Sequence, residues 1–179
     1  MKYNEQLYRK MSKTYWHGSV YPDIDKSKAY WGMFYITQDI NYALEFSKKN
    51  PDDDWGYLYQ CHLADNLYIF NAKDGKDRKV LRDWLVGVYR FSDSKAEEII
   101  DKLAYKDWLA EFGNPGREKL ISILNTLGYD GFFNFERSEF NDTEGNPSIG
   151  LFDANLIVID KVYTSKEIPG LLRKLGRNE

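Results

Sequence analysis

The order of segments is the feature that most constrains how this chain folds. Short runs rich in aromatic and β-branched residues stand on both sides of a long helical stretch, residues 74–118. The short runs do not alternate regularly with helices, which favours an antiparallel sheet over a parallel one. The sequence therefore predicts an α+β domain with a mostly antiparallel sheet, flanking helices and a helical insert over 74–118.

Length, charge and cysteine content narrow the possible classes. The 179 residues are 42% hydrophobic, which is enough for one domain, 1–179, with a core that needs no disulfide. The net charge of −3 and the lack of a long basic run disfavour direct binding of duplex nucleic acid. Cys61 is the single cysteine and lies in an alternating run, so we expect a buried thiol and no metal site.

No segment has the roughly 20 apolar residues of a membrane span, and the first residues lack the apolar run of a signal peptide. We therefore expect a cytoplasmic protein without membrane contact, and delivery as an effector stays open as an alternative.

Local signals predict several boundaries in the first half of the chain. Residues 14–16 have strand composition, and His17, Gly18 and Ser19 are expected to follow that strand. A second strand is expected over 31–37. Asp39 is predicted to cap the helix that comes next, because its carboxylate can accept from the first free amide groups.

The second half of the chain carries turn signals. The sequence GNPG at 113–116 predicts a turn, followed by a helix that ends at Gly128. An Asp-Ala-Asn turn is expected at 153–155. Ser165 is predicted to cap a last short helix, which the Pro-Gly pair at 169–170 is expected to interrupt.

Three motifs are candidates for a functional site. The first is YWHGS, which ends at Ser19; the second is GMFYITQDINYALEF, residues 32–46; the third joins LGYDGFF to the later NPSIGLFD. Each has an ordinary structural explanation when taken alone: a histidine in a loop, aromatic core residues, and a helix stop followed by a turn. Their combination in this order is what sets the chain apart.

In that order the motifs resemble the ADP-ribosyltransferase superfamily, in the His-Tyr-Glu branch of diphtheria-type toxins and poly(ADP-ribose) polymerases. The matching positions include His17-Gly18-Ser19, 32–37, 43–46, 128–131 and 149–153. The resemblance covers about two thirds of the chain and leaves out 74–118. It implies a split antiparallel β-sheet core that binds NAD⁺ and uses it as a substrate.

The resemblance also implies roles for individual residues. Tyr35 and Phe46 would hold the nicotinamide ring between aromatic faces, which suits a cationic pyridinium. The main chain of Gly18 would bind the carboxamide, and His17 would hydrogen-bond the ribose on the adenosine side. Ser19 is expected to assist, and Thr37 is placed at the cofactor site by the same motif.

The chain departs from the family where a catalytic glutamate is expected, because Ser148 occupies that position and is placed among the cofactor-binding residues instead. Glu144 is the nearest carboxylate in sequence and is assigned the catalytic role, with Glu139 and Glu136 as alternatives. All three could instead be solvated loop residues. The expected activity is mono-ADP-ribosylation of a macromolecular acceptor, most simply a protein, with nicotinamide release. An inactive module that binds NAD⁺ or ADP-ribose and an NAD⁺ glycohydrolase are the alternatives.

Overall fold

The computed structural model describes residues 14–24, 33–50, 52–64, 67–105, 108–134 and 148–177. Within these ranges the chain forms seven strands and five α-helices, which confirms the α+β class. The strands are β1 (Tyr15–Ser19), β2 (Phe34–Thr37), β3 (Tyr57–Leu63), β4 (Ile69–Phe70), β5 (Gly131–Asn134), β6 (Ser148–Leu151) and β7 (Ile157–Thr164). The helices are α1 (Ile40–Glu45), α2 (Gly75–Tyr89), α3 (Asp93–Tyr105), α4 (Trp108–Thr126) and α5 (Ile168–Lys174).

All seven strands lie in one sheet, in the order β4-β5-β6-β2-β1-β3-β7. Every neighbouring pair is antiparallel except β4 and β5, which run parallel. The central contact is the weakest, because β1 and β2 share the single registered pair Trp16↔Thr37. On either side of it, β1 pairs with β3 over five residues and β2 pairs with β6 over four. The central pair of strands thus has the fewest registered residues in the sheet.

Alternation of side chains along the strands gives the sheet two different faces. One face carries a cluster of buried residues from both halves, namely Tyr15, Phe34, Ile36, Tyr59, Cys61, Phe133, Ile149, Leu151 and Ile157. The other face is covered by two groups of helices. Helices α2, α3 and α4 pack on the β2-β6-β5-β4 half, and α1 and α5 pack on the β1-β3-β7 half. The junction of β1 and β2 lies between these two groups.

The helical stretch predicted over 74–118 is a packed layer and is longer than expected. Helix α4 continues to Thr126, and buried residues of all three helices join the core on the sheet, among them Leu81, Leu85, Ile100, Leu120 and Leu124. Arg78 on α2 binds carboxylates of α3, with Glu97 Oε2 at 2.6 Å and Asp101 Oδ1 at 2.7 Å. Trp84 and Tyr89 pack against the same core.

Two local predictions are wrong, and both fail because tertiary packing overrides a local signal. The turn expected at 113–116 lies inside α4, so the helix continues through its Gly and Pro residues. Burial of Leu120, Ile123 and Leu124 against the sheet stabilises that helix beyond its own propensity. Strand β1 extends to Ser19 instead of ending at Trp16, because pairing with β3 continues over His17, Gly18 and Ser19.

The last helix also begins later than predicted. Its N-cap is Glu167, and Pro169 occupies the first turn, where a missing amide costs no hydrogen bond, so the Pro-Gly pair does not interrupt it. The other caps are confirmed. Asp39 Oδ1 accepts from Asn41 N at 2.8 Å, and Gly128 has a φ of 86° just after α4. Cys61 is fully buried, as expected.

Within the described ranges, no helix is both long and apolar enough to cross a bilayer.

Candidate functional site

The β1–β2 junction, here residues 16–19 and 34–37, lies at the centre of the sheet and has its shortest registered pairing. After Trp16↔Thr37, the described residues show no further registered pair between these strands. If the register were extended, Gly18 would stand opposite Tyr35. Alternation along each strand puts Gly18, Tyr35 and Thr37 on the helix-covered face, between the two helix groups. Gly18 and Tyr35, two of the predicted site residues, therefore lie on neighbouring strands and on the same face of the sheet.

Gly18 is pressed against helix α1. A β-carbon built at Gly18 would lie 1.7 Å from the carbonyl oxygen of Ala43 and 3.0 Å from the amide nitrogen of Ser47. Only a glycine lets the strand and the end of the helix approach so closely. This contact sets the position of Phe46, which lies between those two helix residues in sequence.

Tyr35 lies flat on β6. Its ring carbon Cε1 is 3.2 Å from the β-carbon position of Gly150, the residue registered opposite it. The Tyr35 hydroxyl also contacts Met33 Sδ at 4.0 Å. The side chain is partly buried against the helical layer formed by α2, α3 and α4. The absence of a side chain at Gly150 leaves room for the Tyr35 ring and also for Phe132 Cε1, which lies 2.8 Å from the same position.

Phe46 caps the C-terminal end of α1 and is 56% exposed. It makes an edge-on contact with the buried ring of Tyr42, with ring centroids 5.1 Å apart. An exposed phenylalanine held by a buried aromatic neighbour presents one face to solvent, where a flat ligand can stack. The Gly18 contact anchors this end of α1 to β1, so Phe46 is held at the same junction.

His17 crosses the junction from the other face of the sheet. Its ring lies 4.3 Å from the ring of Phe34 and 6.0 Å from that of Tyr59, both members of the opposite cluster. Its Nδ1 is 2.7 Å from the carbonyl oxygen of Tyr35. The structure thus brings His17 to the main chain of Tyr35, and it does not place the two rings side by side.

The hydrogen bond assigns the proton on His17. A carbonyl oxygen can only accept, so Nδ1 donates and the neutral ring keeps Nε2 as an acceptor. Burial lowers the pKa of His17 below its ordinary value, and the bond to the Tyr35 carbonyl opposes that shift only in part. The ring is accordingly neutral at neutral pH. In the expected hydrogen bond with the ribose, a ligand hydroxyl would donate to Nε2.

This protonation state predicts a pH dependence of stability. The folded-state pKa lies below the ordinary value of 6.5, so the unfolded chain binds more protons as the pH falls through that value. The stability that neutral His17 contributes is therefore complete at pH values above the ordinary pKa. It is lost progressively as the pH falls from that value to the lowered pKa of the folded state. We expect the free energy of unfolding of the wild type, relative to His17→Gln, to fall between about pH 7.5 and pH 5.

Urea denaturation at several pH values measures this difference, with His62→Gln as the control. His62 is the second histidine and pairs with Asp160 Oδ1 at 2.7 Å on the surface. That variant keeps His17 and should retain the fall. A constant difference between the wild type and His17→Gln across the range contradicts the assignment of a neutral ring.

Ser19 and Thr37 are engaged in local structure. The Ser19 hydroxyl accepts from Tyr21 N at 3.1 Å, and the Thr37 hydroxyl accepts from Asp39 N at 3.1 Å. Thr37 is also 4% exposed. Both hydroxyls therefore shape turns beside the junction, and direct contact of either with a ligand stays a prediction.

Ser148 begins β6, where it is registered with Thr37 on β2. The Ser148 side chain is 3% exposed. Because side chains alternate along a strand, Ser148 lies on the helix-covered face, as Tyr35 does. Glu144, Glu139 and Glu136 lie outside the described residues, so their placement stays a prediction.

The residues that pack against the candidate site residues were not predicted from the sequence. Gly150 seats the ring of Tyr35, while Phe34 and Tyr59 hold the ring of His17. A glycine in the middle of the apolar run SIGLF was a usable signal, since glycine inside a strand often marks close approach of another group. Nothing local in the sequence indicates that Tyr59, over forty residues from His17, is its neighbour.

The residues that the structure describes contain no group of three or more His, Cys, Asp or Glu side chains placed to hold a metal ion. No family model, curated protein or solved structure matches the chain.

Proposed function

We propose that this protein is an NAD⁺-dependent mono-ADP-ribosyltransferase that modifies a macromolecular acceptor, most simply a protein, and releases nicotinamide. The observation that carries the proposal is the geometry of the β1–β2 junction. There Gly18 and Tyr35 lie on neighbouring strands and on the same face of the sheet, and Gly18 packs against the end of α1 that carries the exposed Phe46. Those are the groups that the motif resemblance assigns to nicotinamide binding.

The chemical fit follows from the residue types. A pyridinium ring is flat and cationic, so it stacks favourably between the aromatic faces of Tyr35 and Phe46. The carboxamide on that ring needs one donor and one acceptor, and we assign both to the main chain of Gly18. Neutral His17 would fix the other end of the ligand through Nε2, while its Nδ1 holds β2 in place.

The reaction would break the bond between nicotinamide and ribose, through a transition state with oxocarbenium character. A carboxylate near the ribose would stabilise the positive charge that develops there. Ser148 is neutral and cannot do this. Among the described residues, Glu45 is an acidic residue that directly precedes Phe46. Burial is the main cause that raises the pKa of Glu45, and the nearby charge of Asp39 raises it further. It is exposed on α1, and Glu144 stays the acid assigned to catalysis.

A binding module without catalysis is the second candidate, and the serine at position 148 favours it. Without a carboxylate, the site would hold NAD⁺ or ADP-ribose in the same way but would not stabilise charge separation. Hydrolysis of NAD⁺ by water is the third candidate, and it differs only in the acceptor.

One assay separates the three candidates. The purified chain is incubated with NAD⁺ labelled on the adenine, with and without a cell lysate, and free nicotinamide and labelled macromolecules are measured. Transfer predicts label on an acceptor together with nicotinamide. Hydrolysis predicts nicotinamide and free ADP-ribose without lysate. A module that only binds predicts a higher melting temperature with NAD⁺ and no nicotinamide, because the ligand binds the folded state alone. If millimolar NAD⁺ causes neither an increase in melting temperature nor release of nicotinamide, the proposal is contradicted.

A further inference from the structure

The C-terminal end of helix α2 carries two residues that are unfavourable for the helix itself. Gly87 lies inside the helix, where glycine is the least favourable residue after proline. A β-carbon built at Gly87 would meet nothing within 4 Å, so no neighbour requires a glycine there. Arg90 caps the helix with a φ of 59°, a left-handed conformation that glycine usually adopts. Among the described residues, the Arg90 side chain has no hydrogen bond or salt bridge, so neither residue is explained by contacts within the chain.

Both residues belong to an exposed surface with an apolar strip. Trp84, Gly87 and Val88 have the spacing i, i+3 and i+4, which puts them on one side of α2. Val88 is 59% exposed, the largest value for a valine, leucine or isoleucine of the described chain, and Trp84 is half-buried. Asp83, Gly87 and Arg90 have the spacing i, i+4 and i+7, so the two charged residues flank the strip on its other side. These five residues are called the α2 surface below.

The charges on the α2 surface indicate which partner fits it. Asp83 precedes Gly87 and is 52% exposed, and Arg90 follows Gly87 and is also exposed. If two copies of α2 packed antiparallel across Gly87, Asp83 of one copy would face Arg90 of the other, and two-fold symmetry would form this pair twice. Asp83 already binds Lys79 of its own helix, and a carboxylate has room to accept from both cations. Parallel packing would instead bring like charges together.

We propose that the α2 surface is an interface between two copies of this chain, packed antiparallel with Gly87 at the crossing point. The missing side chain of Gly87 lets the two helices approach closely. Trp84 and Val88 bury apolar area in the contact, and Arg90 gains the carboxylate that it lacks within the chain. The surface lies in the helical layer that the motif resemblance leaves out, so the proposal is independent of the function proposed for the β1–β2 junction.

Analytical ultracentrifugation of the full chain tests the proposal. We expect dimers at ~100 µM and monomers at ~1 µM, because an interface centred on one helix is small and weak. Val88→Glu places a charge in the centre of the contact and should raise the Kd of the dimer about tenfold or more. Val158→Glu is the matched control, because Val158 is a 44% exposed valine on β7, and it should leave the Kd unchanged. A wild type that stays monomeric, or a Val88→Glu variant that dimerises as well as the wild type, overturns the proposal.

Charge reversal tests the antiparallel arrangement. Asp83→Arg and Arg90→Glu each bring like charges together twice in the dimer, so each should raise the Kd about tenfold or more. The double variant restores opposite charges and should dimerise within about threefold of the wild type. A mixture of the two single variants should form mixed dimers for the same reason. If the double variant dimerises as poorly as the single variants, the proposed pairing of Asp83 with Arg90 is overturned.

Arg90→Gly separates dimerisation from the stability of the fold. Glycine adopts a positive φ without strain, so at ~1 µM the melting temperature of this variant should rise by about 2–4 °C. The Kd of its dimer should rise about threefold to tenfold, because the pair with Asp83 is lost twice. A variant that is more stable yet dimerises more weakly cannot be explained by damage to the fold. A fall in melting temperature overturns the proposal, because the arginine side chain would then stabilise the monomer itself.

Discussion

Replacing Gly18 with alanine should destabilise the protein by about 3 kcal/mol or more, near the upper end of overpacking effects. The new β-carbon would lie 1.7 Å from the Ala43 carbonyl oxygen, which is main chain and cannot rotate away. Strand β1 and helix α1 would have to separate. That movement would disrupt the buried contacts of Trp16 and Leu44 in the cluster between them. Urea denaturation followed by circular dichroism measures the loss, with low soluble yield as its extreme form.

Gly87→Ala is the matched control for this prediction. Gly87 lies inside helix α2, and a β-carbon there meets nothing within 4 Å. Alanine is the better helix former by about 1 kcal/mol, so this variant should be as stable as the wild type or more stable. If Gly18→Ala matches Gly87→Ala in stability, β1 and α1 do not approach as described. The junction geometry that carries the proposed function would then be wrong as well.

Replacing Tyr35 with alanine should lower kcat/KM for nicotinamide release about 100-fold, or raise the Kd for NAD⁺ to a similar extent if the protein only binds it. That factor corresponds to ~2.7 kcal/mol, the scale of one lost aromatic stack combined with cation–π attraction. The physical reason is that Tyr35 supplies the aromatic ring that we assign to nicotinamide stacking, next to Gly150. Kinetics on the purified variant measure the effect.

Two variants interpret the Tyr35 result. Tyr35→Phe keeps the ring and should retain activity within a few fold, whereas a catalytic hydroxyl would make it as poor as alanine. Tyr89→Ala removes a partly buried tyrosine that packs between Trp84 and Phe91 in the helical layer. It should lose stability without losing activity. Normal turnover by Tyr35→Ala, or equal losses in Tyr89→Ala, contradicts the placement of nicotinamide on Tyr35.

Much of the local structure could be predicted from sequence because its causes are local. Asp39 caps α1 through its own carboxylate, and Gly128 ends α4 because it alone among nearby residues tolerates a positive φ at no cost. The buried thiol of Cys61 follows from an alternating strand. Such features depend on residues within a few positions of each other, and the sequence states them directly.

The site was only partly predictable. The motifs pointed to Gly18 and Tyr35, which lie on adjacent strands and on the same face of the sheet, and their role in binding stays a prediction. They did not indicate that His17 reaches the Tyr35 main chain from the opposite face, or that Gly150 seats the Tyr35 ring. Those contacts depend on strand order and register, and register is set by which side chains the whole sheet must bury.

By itself, the sequence determined the α+β class, the Asp39 cap and the helix end at Gly128, because each follows from backbone preference and periodicity over a few residues. Only the tertiary structure decided that β4 pairs in parallel with β5 at the far edge and that α4 continues through 113–116. It also decided that β1 and β2 separate after a single pair. These outcomes depend on burying apolar surface between segments distant in sequence, which outweighs the local cost of a helix glycine or proline.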